Sequence, residues 1–189
     1  MTEAFMQKKL AILLPVLLIF AGAAQAQTII GNGTGKTCYQ TALKQQNPHN
    51  GHIAKCTKAI ESNTLNPRDL AASYVNRGIL YMRASKFDDA LTDYDRAIRL
   101  RPRLGDAYLN KGAAKIASGQ PGEAIDLLTY ALELNTGNPE VAHYNLGLAY
   151  ELTGDVTSAY ESLQKALEIH PGWSLPLTQL ERYSIVSEG

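Results

Sequence analysis

The chain has 189 residues, with 18 basic and 18 acidic side chains and 45% hydrophobic residues. This balance gives no electrostatic reason to expect nucleic acid or an anionic membrane surface as partner. The apolar content suffices for one ordinary domain with a real core.

The first element reads as an export signal. Lys8 and Lys9 form a basic start, Leu10 to Phe20 an uncharged apolar core, and Ala24-Gln25-Ala26 a small-x-small cleavage site. Met6 also opens a complete signal. The apolar run is shorter than the ~20 residues of a spanning helix, and no cysteine follows it where a lipoprotein signal would place one. Residues 1–26 are therefore expected to be a signal peptide cut after Ala26, the alternative being an uncleaved anchor. After cleavage the chain is periplasmic or secreted and keeps no stable membrane span.

Residues 27–36 contain Ile30-Gly31-Asn32-Gly33-Thr34-Gly35-Lys36-Thr37. A phosphate-binding loop needs glycine where Ile30 stands, and a buried strand in front to aim it. Four residues after the expected cleavage point supply no such sheet. The stretch reads as a flexible linker, and no nucleotide or other cofactor is expected.

Residues 37–66 form a short helical hairpin. Thr37 to Gln46 and His52 to Glu61 flank the turn Asn47-Pro48-His49-Asn50-Gly51. Cys38 and Cys56 lie on opposite arms, eighteen residues apart in sequence. Three states are open to them. In an oxidising compartment two such cysteines usually pair, and a bridge closing that loop would contribute about 3 kcal/mol. Free thiols are the second state, and a metal held by Cys38, His49, His52 and Cys56 the third.

Residues 67–173 repeat with a period of 34 to 35. Gly78, Gly112 and Gly147 align, as do Ala90, Ala124 and Ala159, then Ala97, Ala131 and Ala166. Asn76, Asn110 and Asn145 form a further column. Each unit (about 71–104, 105–139 and 140–173) holds two amphipathic helical segments, such as Tyr74, Gly78, Tyr81 and then Ala90, Tyr94, Ala97. Turn signals at Ser85-Lys86, Gly119-Gln120-Pro121-Gly122 and Gly154-Asp155 separate them. Glycine on one helix facing alanine on the next predicts close helix approach. Residues 174–189 are expected to add a capping helix, with Leu177, Leu180, Tyr183 and Val186 at helical spacing.

The chain resembles the tetratricopeptide repeat family. Tyr74, Gly78, Tyr81, Ala90, Tyr94, Ala97 and Pro102 match its pattern in the first unit, and Leu146, Gly147, Tyr150, Ala159, Ala166 and Pro171 in the third. In the second, Lys115 and Leu128 replace aromatics, and Arg77 and Lys111 stand where leucine is usual. The resemblance implies an all-α superhelix of three full repeats, with a degenerate N-terminal hairpin and a C-terminal capping helix. It also implies a concave groove for an extended peptide or partner protein. Its lining residues would be Val75, Asn76, Ile79 and Met82 in the first unit. Leu109, Asn110, Ala113 and Ile116 follow in the second, and Tyr144, Asn145, Leu148 and Glu151 in the third. The asparagine amides could grip a peptide backbone. Family members that clamp a terminal carboxylate use lysines at places held here by Ala72, Asp106 and Val141, so that ligand is not expected. The groove is expected to be apolar and amide-rich, with little positive charge.

No catalytic constellation stands out. Asp88, Asp89, Asp93 and Asp95 precede Arg96, Arg99, Arg101 and Arg103 on one helix, which the helix dipole and pairs such as Asp95–Arg99 explain as a solvated face. His143 and His170 stand alone. The function implied is a non-enzymatic interaction scaffold, possible roles lying in envelope assembly or secretion. Self-assembly through repeat ends or tyrosine-rich faces is the alternative, and support of a wall-remodelling enzyme a more distant one.

Overall fold

A computed structural model describes residues 5–8, 26–28 and 33–186. In chain order the elements are β1 (Phe5–Lys8), α1 (Thr34–Lys44), α2 (Asn50–Glu61), α3 (Pro67–Arg83), α4 (Phe87–Leu100), α5 (Gly105–Ala117), α6 (Pro121–Glu133), α7 (Pro139–Thr153), α8 (Val156–Ile169), α9 (Ser174–Leu180) and β2 (Tyr183–Val186). Consecutive helices pack as hairpins: α1 on α2, α3 on α4, α5 on α6 and α7 on α8. First helices of successive pairs also meet, α1 with α3, α3 with α5 and α5 with α7. This is the all-α superhelix expected, with α1–α2 as the degenerate hairpin.

Local chemistry sets the helix boundaries. Asn66 caps α3 by accepting from the Asp69 N–H, with Pro67 in the first turn, and Asp155 caps α8 by accepting from the Ser158 N–H. The turn inside each repeat uses one left-handed residue: Ser85 (φ 56°), Gly119 (φ 78°) and Gly154 (φ 90°). The last two are glycine because that region penalises a Cβ. In the first repeat serine bears the penalty, and its side chain is exposed.

No repeat closes its own core. Val75, Ile79, Tyr94 and Ala97 of the first repeat share one cluster with Ala107 and Ala114 of α5. Leu109, Leu128 and Ala131 of the second share another with Val141, Leu146 and Ala149 of α7. Gly112 and Gly147 approach the backbone of Ala124 and Ala159 as expected, and the glycine column in addition receives a large side chain. A Cβ at Gly78 would lie 2.5 Å from the Tyr94 ring, at Gly112 2.7 Å from Leu128, and at Gly147 2.8 Å from Leu163. Each glycine is thus a socket for one large buried side chain of the second helix. Leu128 and Leu163 fill it as Tyr94 does, so the aromatic is not required there.

Arg77 and Asp93 also differ from expectation. Asp93 is 2% exposed and not on a solvated face. Arg77 on α3 reaches it twice, Nε to Oδ2 at 2.7 Å and Nη2 to Oδ1 at 2.8 Å, while Nη1 donates to Thr57 of α2 at 3.0 Å. The Tyr74 and Tyr81 rings flank the guanidinium at 5.6 and 5.7 Å. Burial opposes the charge on Arg77, but the hydrogen bond and charge of Asp93 outweigh it and raise its pKa. The arginine standing where leucine is usual therefore ties three helices together. One repeat on, Lys111 pairs with Asp95 at 2.7 Å, so Asp95 is engaged across helices rather than with Arg99.

Both ends depart from the expected boundaries. Helix α1 begins at Thr34, inside the stretch read as flexible linker. The glycine run therefore leads into a helix: Gly33 is its cap, and Gly35 to Thr37 lie in its first turns. Ile30, Gly31 and Asn32 lie outside the described residues, as does the signal's apolar core. At the other end, the expected helix through Val186 stops at Leu180. Tyr183–Val186 is extended, as its aromatic and β-branched residues favour, and pairs antiparallel with Phe5–Lys8, Phe5 opposite Val186 and Lys8 opposite Tyr183. Helix α9 still caps the stack, with Leu175 and Leu180 against Leu163 and Ala166.

Two stability predictions follow from these contacts. Ser85→Gly relieves the left-handed serine at about 1 kcal/mol, and thermal unfolding should shift upward by about 2–4 °C. Asp93→Ala strands a buried guanidinium and should cost about 3–5 kcal/mol in urea unfolding. The double variant Arg77→Leu/Asp93→Ala should recover most of that loss.

Candidate functional site

The inner face is built from α1, α3, α5 and α7. Of the residues expected to line it, Val75, Ile79 and Met82 belong to the first-repeat core, Leu109 and Ile116 to the second and Tyr144 to the last, all 5% exposed or less. They hold the stack together rather than offering surface, because the first helix of the following repeat closes over those of the first two units and Trp173 packs on Tyr144. Ala113 is buried too. Leu148 packs against the second and last cores. Glu151 is taken up by the C-terminal end, accepting from Arg182 Nη2 at 3.0 Å and from the Tyr183 hydroxyl at 3.3 Å. Burial and the Glu151 charge both push the Tyr183 pKa up, keeping that hydroxyl a donor.

The asparagine column is left, and its three members differ. Asn76 is fully buried and grips the chain's own residue 27: its Oδ1 accepts from the Gln27 N–H at 2.7 Å, and its Nδ2 donates to the Gln27 carbonyl at 3.0 Å. Asn110 turns back on its own helix, with Nδ2 donating to the Asp106 carbonyl at 2.7 Å. Asn145, 3% exposed, has an Nδ2 with no hydrogen-bond partner.

Asp106 completes the contact. Its Oδ2 accepts from Gln27 Nε2 at 2.7 Å, while Oδ1 accepts from the Thr136 hydroxyl and from the Gly137 N–H at 2.9 Å. The turn between α6 and α7 thus fixes the carboxylate that receives the Gln27 side chain. A cavity of about 500 Å³ lies beside Ala26–Thr28 on the same face, lined by Tyr39, Leu43, Arg68, Arg101, Leu104 and Asn138 among others. Arg68 and Arg101 are exposed there, so the groove carries more positive charge than expected. The sequence signal for Asp106 was present in reversed form: an acid stands in the column where a carboxylate clamp has lysine. Gln27 had no such signal, since it lies outside every periodic segment.

In the hairpin, Cys38 and Cys56 are fully buried, with sulfurs 2.08 Å apart and Cα atoms 4.4 Å apart. The two histidines considered as metal ligands are used otherwise. His49 Nδ1 accepts from the Gly51 N–H and His52 Nδ1 from the His49 N–H, capping α2. His170 stacks on Trp173 at 5.9 Å, and His143 is half-buried, its pKa lowered first by burial and then by Lys165.

The fold defines a helical-repeat solenoid. Two models of the tetratricopeptide repeat match, over residues 71–104 and 109–172, together more than half of the chain. The chain belongs to the tetratricopeptide repeat family. It is similar to the cytochrome c-type biogenesis protein CycH of Rhizobium meliloti, 33% identical over 60% of this chain and 30% of that protein. Heat shock protein STI1 of Saccharomyces cerevisiae is 37% identical over 43% of this chain and 13% of its own length. The chain thus spans less than a third of the curated relatives it matches. Among solved structures, MamA superposes with a TM-score of 0.64 at 24% identity, covering 80% of this chain and 82% of MamA. A thermophilic repeat protein of Thermus thermophilus gives 0.56 at 20%, covering 77% and 76%. These likenesses establish the fold. Tetratricopeptide repeats are protein-interaction scaffolds, generally without catalysis of their own.

The unpaired Asn145 amide yields a prediction. Because a buried donor without a partner costs about 1–3 kcal/mol, Asn145→Ala should leave the thermal midpoint unchanged or raised.

Proposed function

We propose that this protein is an exported, non-enzymatic adaptor that holds an extended segment of another protein in its concave groove. The observation that carries this is the two-point grip of Asn76 on the backbone N–H and carbonyl of a single residue. Such a grip suits a polypeptide main chain and ignores the side chain, leaving selectivity to neighbours such as Asp106. Export is supported by the basic, apolar and small-x-small order of residues 8–26 and by two cysteines at bonding distance, the arrangement of an oxidising compartment. In a bacterial host the compartment would be the periplasm. Similarity to a protein named for cytochrome c-type biogenesis suits a part in the maturation of other proteins.

Crosslinking of the full chain in its native envelope, followed by affinity capture and mass spectrometry, tests the adaptor role. Asn76→Ala should lose the captured protein while keeping its helical circular dichroism. Capture that persists at native level in this variant contradicts a groove-bound partner. Recovery of the chain from cytoplasm only, with residues 1–26 intact, contradicts export.

A further inference from the structure

Residues 26–28 are not part of any repeat, yet they are seated on the inner face like a guest. Ala26 packs against the first-repeat core and also against the cysteine-bearing hairpin. Gln27 is held at three atoms: N–H and carbonyl by Asn76, side-chain amide by Asp106. The groove residues come from two repeats, with Asn76 on α3 and Asp106 on α5. This site is assembled only when the repeats stack.

We propose, building on the peptide-holding function above, that Ala26-Gln27-Thr28 is a tethered ligand of the groove, and that the groove selects a peptide carrying glutamine at the position held by Asn76 and Asp106. The selectivity is chemical. Asn76 offers one acceptor and one donor to any extended residue, so it fixes direction and register but not identity. Asp106 is an acceptor only, and its second oxygen is tied to Thr136 and Gly137, so it cannot swing away. A side chain reaching it must donate. Glutamine does so at the right length, whereas glutamate would set two carboxylates together. Ala26 packs against two cores and also borders the cavity of about 500 Å³, so the preceding side chain is not what the groove selects.

The tether also sets the terms of competition. A segment joined to its site by a short connection is present at an effective concentration of about millimolar. A free peptide of the same sequence must displace it, and its apparent affinity is reduced accordingly. Cleavage after Ala26 would not abolish the grip, because the Gln27 nitrogen would remain a donor as a terminal ammonium. It would vacate the Ala26 position, leaving that space to an incoming peptide.

The test uses a fluorescein-labelled, end-blocked peptide AAQAQTII (residues 23–30) and fluorescence anisotropy with the full chain. Gln27→Pro removes both the N–H and the side-chain amide of the tethered residue and touches no helix. The Gln27→Pro chain should bind the peptide at least tenfold more tightly than the native chain. A peptide with glutamate in place of the second glutamine should bind the Gln27→Pro chain at least tenfold more weakly. Asn76→Ala added to Gln27→Pro should abolish binding, with the helical spectrum retained. Equal affinity of native and Gln27→Pro chains, no binding to the Gln27→Pro chain, or indifference to the glutamate peptide each overturns the proposal. Peptide binding with no envelope protein captured would leave this site standing and remove the adaptor role. Capture of a protein that AAQAQTII fails to displace would do the reverse.

Discussion

Every other feature of this protein depends on the socket that a glycine on the first helix of each repeat offers to one large side chain of the second. With no Cβ at Gly78, Gly112 or Gly147, the Tyr94 ring and the Leu128 and Leu163 side chains enter the opposing helix surface at distances no other residue would allow. The two helices are thereby drawn together over their middle turns. Their combined apolar surface then faces along the stack, where the next repeat covers it with Ala107 and Ala114 or with Leu146 and Ala149. Stability in such an array is a property of neighbours, which is why both ends need closure. One end is closed by the cysteine-bearing hairpin, with Leu80 of α3 inside its core, and the other by α9 with Trp173 against Tyr144.

The same geometry makes the inner face. The period that brings the glycines into one column brings Asn76, Asn110 and Asn145 into another, on the first helix of each repeat. Amides placed there are buried by the stack but not consumed by it, and each finds a different solution. Asn76 takes the backbone of Gln27, Asn110 its own helix, and Asn145 leaves its Nδ2 without a partner. A buried amide nitrogen lacking a partner is costly, so Asn145 does not add to stability as Asn110 does.

What was legible in the sequence follows the range of the interactions. The hairpins, their turns and the small-residue columns rest on contacts within one period, so self-comparison exposes them. The cysteines on opposite arms of a short turn are near neighbours for the same reason. Asp93 was misleading because three other acids share its helix; its partner Arg77 lies on another helix and departs from the usual leucine, and only the pairing of the two departures makes sense of either. The groove lining was over-read, since a family's inner-face positions include residues such as Leu109 that the stack here buries completely. Gln27 was invisible: three residues carry no periodicity, and their partners Asn76 and Asp106 lie 49 and 79 residues away. The C-terminal strand was hidden by apolar spacing that serves a helix and an extended segment alike.

The central claim is that Asn76 pairs with the main chain of Gln27 on the inner face. Hydrogen exchange of the Gln27 amide in the full chain, resolved by nuclear magnetic resonance, measures this directly. The account predicts exchange at least a hundredfold slower than in an unstructured segment, and a return to the unstructured rate in Asn76→Ala. An unprotected Gln27 amide in the native chain would contradict it.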